Sequence, residues 1–308
     1  MITLIVPTLN RAHTLRVVAP SYFQQDGVTE IIFVSDAGTD ATPALIEQLA
    51  RDHPAVKTRL LTNARRLGAS ESRNVGVREA ANQYILFCDD DEYLEAGYAR
   101  TCLEKLLQLN AGAVSGRRIY LDAGESPAQG LRRFGNGLRP GKPFRFVICE
   151  YVNAAKFPGD LRLPITNAII LTRKTLLQQF PFDSHYAKGN GYREESDFQM
   201  NLFTNGYDVY VTNDRHSFHL PLAQVRTGGQ RAGALARIRW AVYYTHYFFG
   251  KYYPGYARRA GLKTPRWAAV AIFAVFCVYR ETLRPPIFGF AKWWLRRQQR
   301  FAHSGVGT

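Results

Sequence analysis

Tyr84-Ile85-Leu86-Phe87-Cys88-Asp89-Asp90-Asp91 is an apolar run that ends abruptly in three consecutive carboxylates. An unbroken apolar run of this length predicts a strand buried on both faces, as in the parallel sheet of an α/β domain. The surrounding chain extends the pattern: strands are expected at 3–6, 30–34, 58–61, 84–88, 113–120 and 167–171, and helices at 44–51, 70–82 and 194–205, with Ser70 as a helix cap. The expected fold class is an α/β sandwich with a mostly parallel central sheet. In such sheets ligands bind beyond the carboxyl ends of the strands. Three polar stretches occupy that position: Pro7–Arg11, Ser35–Asp40 and Asp89–Glu92. Residues 121–163, rich in Gly, Pro and Arg, support no assignment, and no internal repeat is present.

The 308 residues carry a formal net charge of +15, very unevenly distributed. Residues 1–222 hold 25 Lys and Arg against 24 Asp and Glu, whereas residues 223–308 hold 15 against one, together with Trp240, Trp267, Trp293 and Trp294. Two parts are therefore expected, a catalytic domain over 1–222 and a basic, aromatic-rich helical extension over 223–308. Cys88, Cys102, Cys149 and Cys277 show no paired spacing, and the chain opens on an apolar strand pattern instead of a secretory signal, which predicts reduced thiols in the cytoplasm. No G-x-x-x-x-G-K-[ST] loop and no G-x-G-x-x-G after the first strand is found, which argues against a kinase or a dinucleotide oxidoreductase.

Three adjacent carboxylates repel one another unless a cation compensates them. In an extended segment Asp89 and Asp91 point to the same side and could share one hard divalent ion, Mn²⁺ or Mg²⁺, which completes its shell with substrate phosphate oxygens. The competing explanation is an acidic solvated turn or a helix N-terminus that favours negative charge.

The order of motifs resembles a family-2 glycosyltransferase of the GT-A fold, along most of residues 1–222. Ile5-Val6-Pro7-Thr8-Leu9-Asn10-Arg11 is similar to the family's first strand and nucleotide-facing turn. Ile32-Phe33-Val34-Ser35-Asp36-Ala37-Gly38-Thr39-Asp40 is similar to its second strand and acidic turn, with Ser35 in place of the first of two aspartates. Gly68-Ala69-Ser70 with Arg73-Asn74-Val75-Gly76 resembles the helix near the base, and Asp89-Asp90-Asp91 resembles the D-x-D metal motif. Phe182-Asp183-Ser184-His185-Tyr186 and Arg193-Glu194-Glu195-Ser196-Asp197-Phe198 resemble the later F-D-E and G-E-D-x-D segments, with Glu195 where the family has its catalytic Asp.

The resemblance implies a nucleoside-diphosphate-sugar donor and a glycan or lipid-linked acceptor, with Pro7, Thr8, Asn10, Asp36, Arg73, Asp89 and Asp90 lining the nucleotide. It places Asp91, Asp89 and His219 at the metal, leaves His216 outside, and makes Glu195 the general base of an inverting transfer in polysaccharide biosynthesis. Without it, Glu194, Glu195 and Asp197 are equally well explained as the acidic first turn of a helix, with Glu194 pairing a nearby Arg. A retaining transferase and a non-enzymatic, membrane-bound partner-binding protein remain the alternatives.

In the extension, Arg231, Arg237, Arg239 and Lys251 are interleaved with aromatics, and the apolar run 267–279 is shorter than the ~20 residues a spanning helix needs. Aromatic rings favour the headgroup level and basic side chains favour anionic lipid. The extension is therefore expected to lie on the inner face of the cell membrane, peripherally. Packing on the catalytic domain or within a homo-oligomer is the alternative, and no nucleic-acid motif accompanies the basic residues.

Overall fold

The computed structural model describes residues 1–221, 223–225 and 233–283. The elements run β1 (Ile2–Thr8), α1 (Ala12–Val18), α2 (Pro20–Phe23), β2 (Val28–Ser35), α3 (Thr42–Asp52), β3 (Lys57–Thr62), α4 (Ala69–Glu79), β4 (Tyr84–Phe87), β5 (Glu92–Leu94) and α5 (Tyr98–Gln108). They continue with β6 (Ala113–Tyr120), α6 (Pro127–Phe134), β7 (Phe144–Arg145), β8 (Glu150–Tyr151), β9 (Asp160–Leu163), β10 (Ile170–Arg173), α7 (Lys174–Gln179), α8 (Glu194–Thr204), β11 (Val209–His219), α9 (Ala234–Ala260) and α10 (Arg266–Val278).

One large sheet has the order β3-β2-β1-β4-β10-β6-β11-β5, with β9 also on β11. The expected parallel character holds for β3-β2-β1-β4 and for β6 with β11. The remaining pairings, through β10, β5 and β9, are antiparallel. Two apolar layers sandwich the sheet: Leu4, Val6, Phe33 and Leu86 pack with α1, α3 and α5 on one face, and Ile5, Ile32, Ile85 and Phe87 pack with Val77, Leu177 and Phe198 on the other.

The structure adds α1, α2, β5, α5 and α7 to the expected elements and departs from the reading in four further places. Helix α4 begins after Gly68, whose φ of +87° suits a glycine, while Ser70 is buried inside the helix and does not cap it. The last strand extends through His216 and His219, because a register shift between Val211 and His216 lets β11 keep pairing with β6. Within 121–163 lie α6, which opens with a Ser126–Gln129 capping box, the β7–β8 hairpin, and β9.

The fourth departure concerns the extension. Helix α9 buries Ala241, Tyr244, Phe248, Phe249, Tyr252, Tyr253 and Tyr256, a spacing of three and four that forms one continuous face. That face shares a core with Leu163, Met200, Phe203 and Val211, so α9 is built into the α/β unit. Against it, α10 buries Ala269, Phe273 and Cys277 and leaves Trp267, Ile272, Val275 and Val278 exposed. Among the described residues no helix is long and apolar enough to cross a membrane. Arg231, Trp293 and Trp294 lie outside the described residues. All four cysteines are free and buried; burial pushes the Cys102 and Cys149 thiols up to about 12 and Cys277 to about 11.

Candidate active site

The carboxyl ends of β1, β2 and β4 converge on the predicted crevice. β4 stops at Phe87, and the chain turns through Asp90 and Asp91 into β5. The Tyr22 hydroxyl, 2.8 Å from the carbonyl oxygens of both Asp89 and Glu92, fastens the turn. The segment is therefore not extended, and Asp89 and Asp91 do not share a partner set as the alternation rule predicts. Asp89 lies between two guanidiniums, 3.1 Å from Arg73 and 2.9 Å from Arg118, which hold its carboxyl below the usual range despite burial. Asp91 instead meets Arg11 at 3.2 Å and His219 Nε2 at 3.6 Å. Asp90 sits 3.9 Å from Arg11, and burial together with the charge of Asp91 pushes its carboxyl up to about 7.

The Asp91–His219 pair fits a divalent ion. His219 Nδ1 lies 2.7 Å from the Leu220 carbonyl oxygen, which can only accept, so Nδ1 carries a hydrogen and Nε2 is the nitrogen turned toward Asp91. The separation of 3.6 Å is too long for a hydrogen bond and suits two ligands of one cation. Among the described residues no three His, Cys, Asp or Glu side chains converge tightly enough to form an ion site by themselves. Asp89, predicted as the third ligand, is committed to Arg73 and Arg118. His216 is elsewhere, paired with Glu95 at 3.0 Å.

Helix α8 brings the second carboxylate group. Its first turn follows Arg193, a non-glycine residue at φ +78°. That conformation is uncommon for such a side chain, and it is held by a buried guanidinium that donates to the carbonyls of Ile148 and Cys149 and stacks on Phe248 and Phe273. Arg73, reaching across from α4, is ion-paired with Glu194 and lies 3.4 Å from Glu195. Burial and the charges of Glu195 and Asp89 raise the Glu194 carboxyl, against the pull of Arg73. Glu195 is the more open of the two, with a side chain 31% exposed against 7% for Glu194. Asp197 is fully engaged, accepting from Tyr186, Tyr252 and Lys251 at 2.8 to 2.9 Å.

Two residues expected at the nucleotide base have other partners. Asp36 accepts from the backbone of Leu67 and Gly68 and from Asn63, at 2.7 to 3.0 Å, and so fixes the loop entering α4. Arg73 is spread over three carboxylates instead of facing open space. Asn10, at φ +55°, accepts from the Thr39 and Asp40 backbone and ties the first two turns together. Pro7 and Thr8 end β1 alongside Val34 and Ser35, where the turns meet.

The model of the family described as "Glycosyl transferase family 2" matches residues 3–174, more than half of the chain. The chain belongs to this family. Among its relatives, the succinoglycan biosynthesis protein ExoO of Rhizobium meliloti (strain 1021) is 31% identical over 105 residues, covering 34% of this chain and 29% of that protein. The GalNAc(5)-diNAcBac-PP-undecaprenol beta-1,3-glucosyltransferase of Campylobacter jejuni is 31% identical over 105 residues, covering 34% of each. The family-2 chain thus matches about a third or less of the length of these curated relatives. The S. aureus TarS 1-349 structure in complex with UDP-GlcNAc superimposes with TM-score 0.60 at 14% identity, covering 91% of this chain and 72% of that one. The mannosyltransferase PcManGT from Pyrobaculum calidifontis, in complex with GDP-Man and Mn2+, gives TM-score 0.56 at 19% identity, covering 90% and 80%. These likenesses establish the shared fold.

The family match ends before α8 and reaches neither Glu195 nor His219. Sequence reasoning overlooked Arg118 and Glu92. Glu92 is fully buried and doubly paired with Arg118, at 2.6 and 2.9 Å, next to Asp89. The available signal was Arg117-Arg118 inside the apolar strand β6: charged residues there need buried partners.

Proposed function

We propose that this family-2 chain transfers a sugar from a nucleoside-diphosphate donor to a hydroxyl of a lipid-linked or surface glycan, with inversion. The observation that carries the proposal is the pairing of Asp91 with His219 at the carboxyl ends of the strands, beside a second carboxylate group on α8. Asp91 and His219 would hold a divalent ion, Mn²⁺ or Mg²⁺, which when bound neutralises the leaving diphosphate. Pro7, Thr8, Asn10 and Asp90 border the nucleotide. Asp36 and Arg73 support the pocket by fixing the loop into α4 and the carboxylates.

In the chemical step Glu195 takes the proton of the acceptor hydroxyl as its oxygen bonds to the anomeric carbon, and the bond from that carbon to the diphosphate breaks. Arg73, 3.4 Å from Glu195, holds the carboxylate in place until it accepts the proton. Arg118 and Arg73 hold Asp89 as the wall between the two carboxylate groups. The exposed apolar face of α10 supports peripheral attachment to the cytoplasmic side of an anionic membrane, where such acceptors reside.

A screen of nucleotide-sugar donors, with and without Mn²⁺ and with the product anomer determined by NMR, tests the proposal. Cation-dependent hydrolysis or transfer with inversion is expected. Retention at the anomeric carbon would remove Glu195 as base, and activity at full rate in excess chelator would remove the ion.

A further inference from the structure

A cleft of about 400 Å³ lies between the segment that leads into α8 and the first turns of α9, bordered by His185, Lys188, Arg239, Trp240, Tyr243 and Tyr244. Its volume is in the range of small-ligand sites. The aromatic wall is ordered. His185 stacks on Tyr247 at 3.9 Å and on Tyr243 at 5.7 Å, both within 22° of parallel, and Trp240 stacks on Tyr244 at 5.4 Å. The Tyr243 ring is nevertheless 48% exposed. Lys188 and Arg239 add two cations, and no Asp or Glu borders the cleft among the described residues. This chemistry disfavours a cationic ligand, which aromatic walls alone would have suited. It favours one with C–H groups to lay on a ring face and negative charge to meet an ammonium and a guanidinium.

The cleft adjoins the carboxylates of α8. The Tyr244 hydroxyl donates to the Lys188 carbonyl at 2.6 Å, and burial raises the phenol, with smaller contributions from Tyr243 and Glu194. Gly189, at φ +65°, lies directly under the Trp240 indole, where an added Cβ would come within 2.4 Å of the ring. Ala187, which also lines the cleft, packs against Gly68, the residue whose N–H Asp36 accepts. One wall thus separates this cleft from the nucleotide-side turn and runs on into Glu195.

We propose that the cleft is an acceptor subsite for a saccharide bearing an anionic group, with the sugar ring on Tyr243 and Trp240 and the anion between Lys188 and Arg239. The inference rests on the transferase reading for the word acceptor, but its test reads binding and needs no turnover. Glucose 1-phosphate, methyl glucoside and inorganic phosphate are titrated against the full chain by ligand-observed NMR. The sugar phosphate should bind about tenfold more tightly than either fragment. The double variant Lys188→Ala/Arg239→Ala should erase its advantage over methyl glucoside, and Tyr243→Ala should weaken both sugars. All three side chains are at the surface of the cleft, and circular dichroism checks that each variant folds.

Equal affinities for sugar phosphate and inorganic phosphate would overturn the saccharide assignment. Binding lost in Asp91→Asn but kept in the double variant would place the probe at the nucleotide site and overturn the subsite. A chain that binds the probe as expected but transfers no sugar from any donor would keep the cleft and lose the transferase reading.

Discussion

At the scale of single residues, the site is governed by how its carboxylates share a few buried cations. Asp89, Glu92 and Glu194 are paired with buried guanidiniums, and Asp197 has a lysine and two phenols. Asp91, shared between Arg11 and His219, and Glu195, partly open beside Arg73, are the two proposed to act on a substrate. Glu195→Gln should therefore lower transfer by about 10² to 10⁴ in kcat with little change in donor affinity, since a base contributes mainly to the chemical step. Steady-state kinetics with isothermal donor titration would check this; unchanged kcat would exclude Glu195 as the base. Asp91→Asn should remove the response to Mn²⁺, because an amide supplies no anionic oxygen, and a persisting Mn²⁺-dependent thermal shift would contradict it. The motif order pointed to Asp91, His219 and Glu195, and the structure sets Asp91 beside His219. The separate allegiance of Asp89 was not legible in the sequence, because it depends on Arg73 and Arg118, brought from 16 and 29 positions away.

At the scale of elements, the junction of α8 with α9 sets the geometry of the acidic turn. Lys251 on α9 reaches Asp183 and Asp197 at 2.8 Å. Burial raises the Asp197 carboxyl, and Lys251 works against that rise. Replacing Lys251 by Met leaves Asp197 buried without its cation, a loss of about 2–4 kcal/mol after allowing for the partial exposure of the lysine. The pH dependence has a definite sign. With the cation gone, the folded carboxyl holds its proton to higher pH than the unfolded chain does, so stability falls as pH rises through that window. The deficit of Lys251→Met should be larger at pH 8 than at pH 5, as measured by urea unfolding at both. Strands β1 to β4 and β6 and helices α3, α4 and α8 were legible from apolar periodicity, whereas the short α1, α2 and β5 were not, nor was α5. The integration of α9 was hidden by its basic composition, since Arg259 stacks on the core residue Phe203 and Arg237 pairs with Glu281, contacts that composition alone does not show.

For the whole molecule, the distribution of charge and exposed apolar surface gives an orientation. α10 keeps Trp267, Ile272, Val275 and Val278 in solvent, on the part of the chain with 15 basic residues and one acidic. Two substitutions on that face, Trp267→Glu with Val275→Glu, should reduce sedimentation with anionic vesicles at least tenfold at low salt, since each turns insertion into repulsion. They leave the α9 face of the helix untouched. Removing the whole extension is a poorer test, because it would also strip the aromatic face of α9 from the core. Vesicle binding unchanged by the pair would move the membrane contact off α10, and a dimer lost with the pair would make this face a subunit contact.

The four buried thiols turn the molecule into its own opening gauge. Cys88 lies beneath the carboxylate turn, Cys102 on the buried face of α5, Cys149 in the core shared with α9, and Cys277 where α10 meets α9. None is available to a disulfide reagent until its surroundings part, and local opening free energies differ across a fold. The Cys277 cluster is small, so α10 should lift first. With the other three cysteines replaced by serine one chain at a time, the rate of labelling at each remaining thiol would time the departure of its neighbourhood. Cys277 is expected to react soonest and Cys88 last, and the addition of a nucleotide sugar should slow Cys88 while leaving Cys277 unchanged.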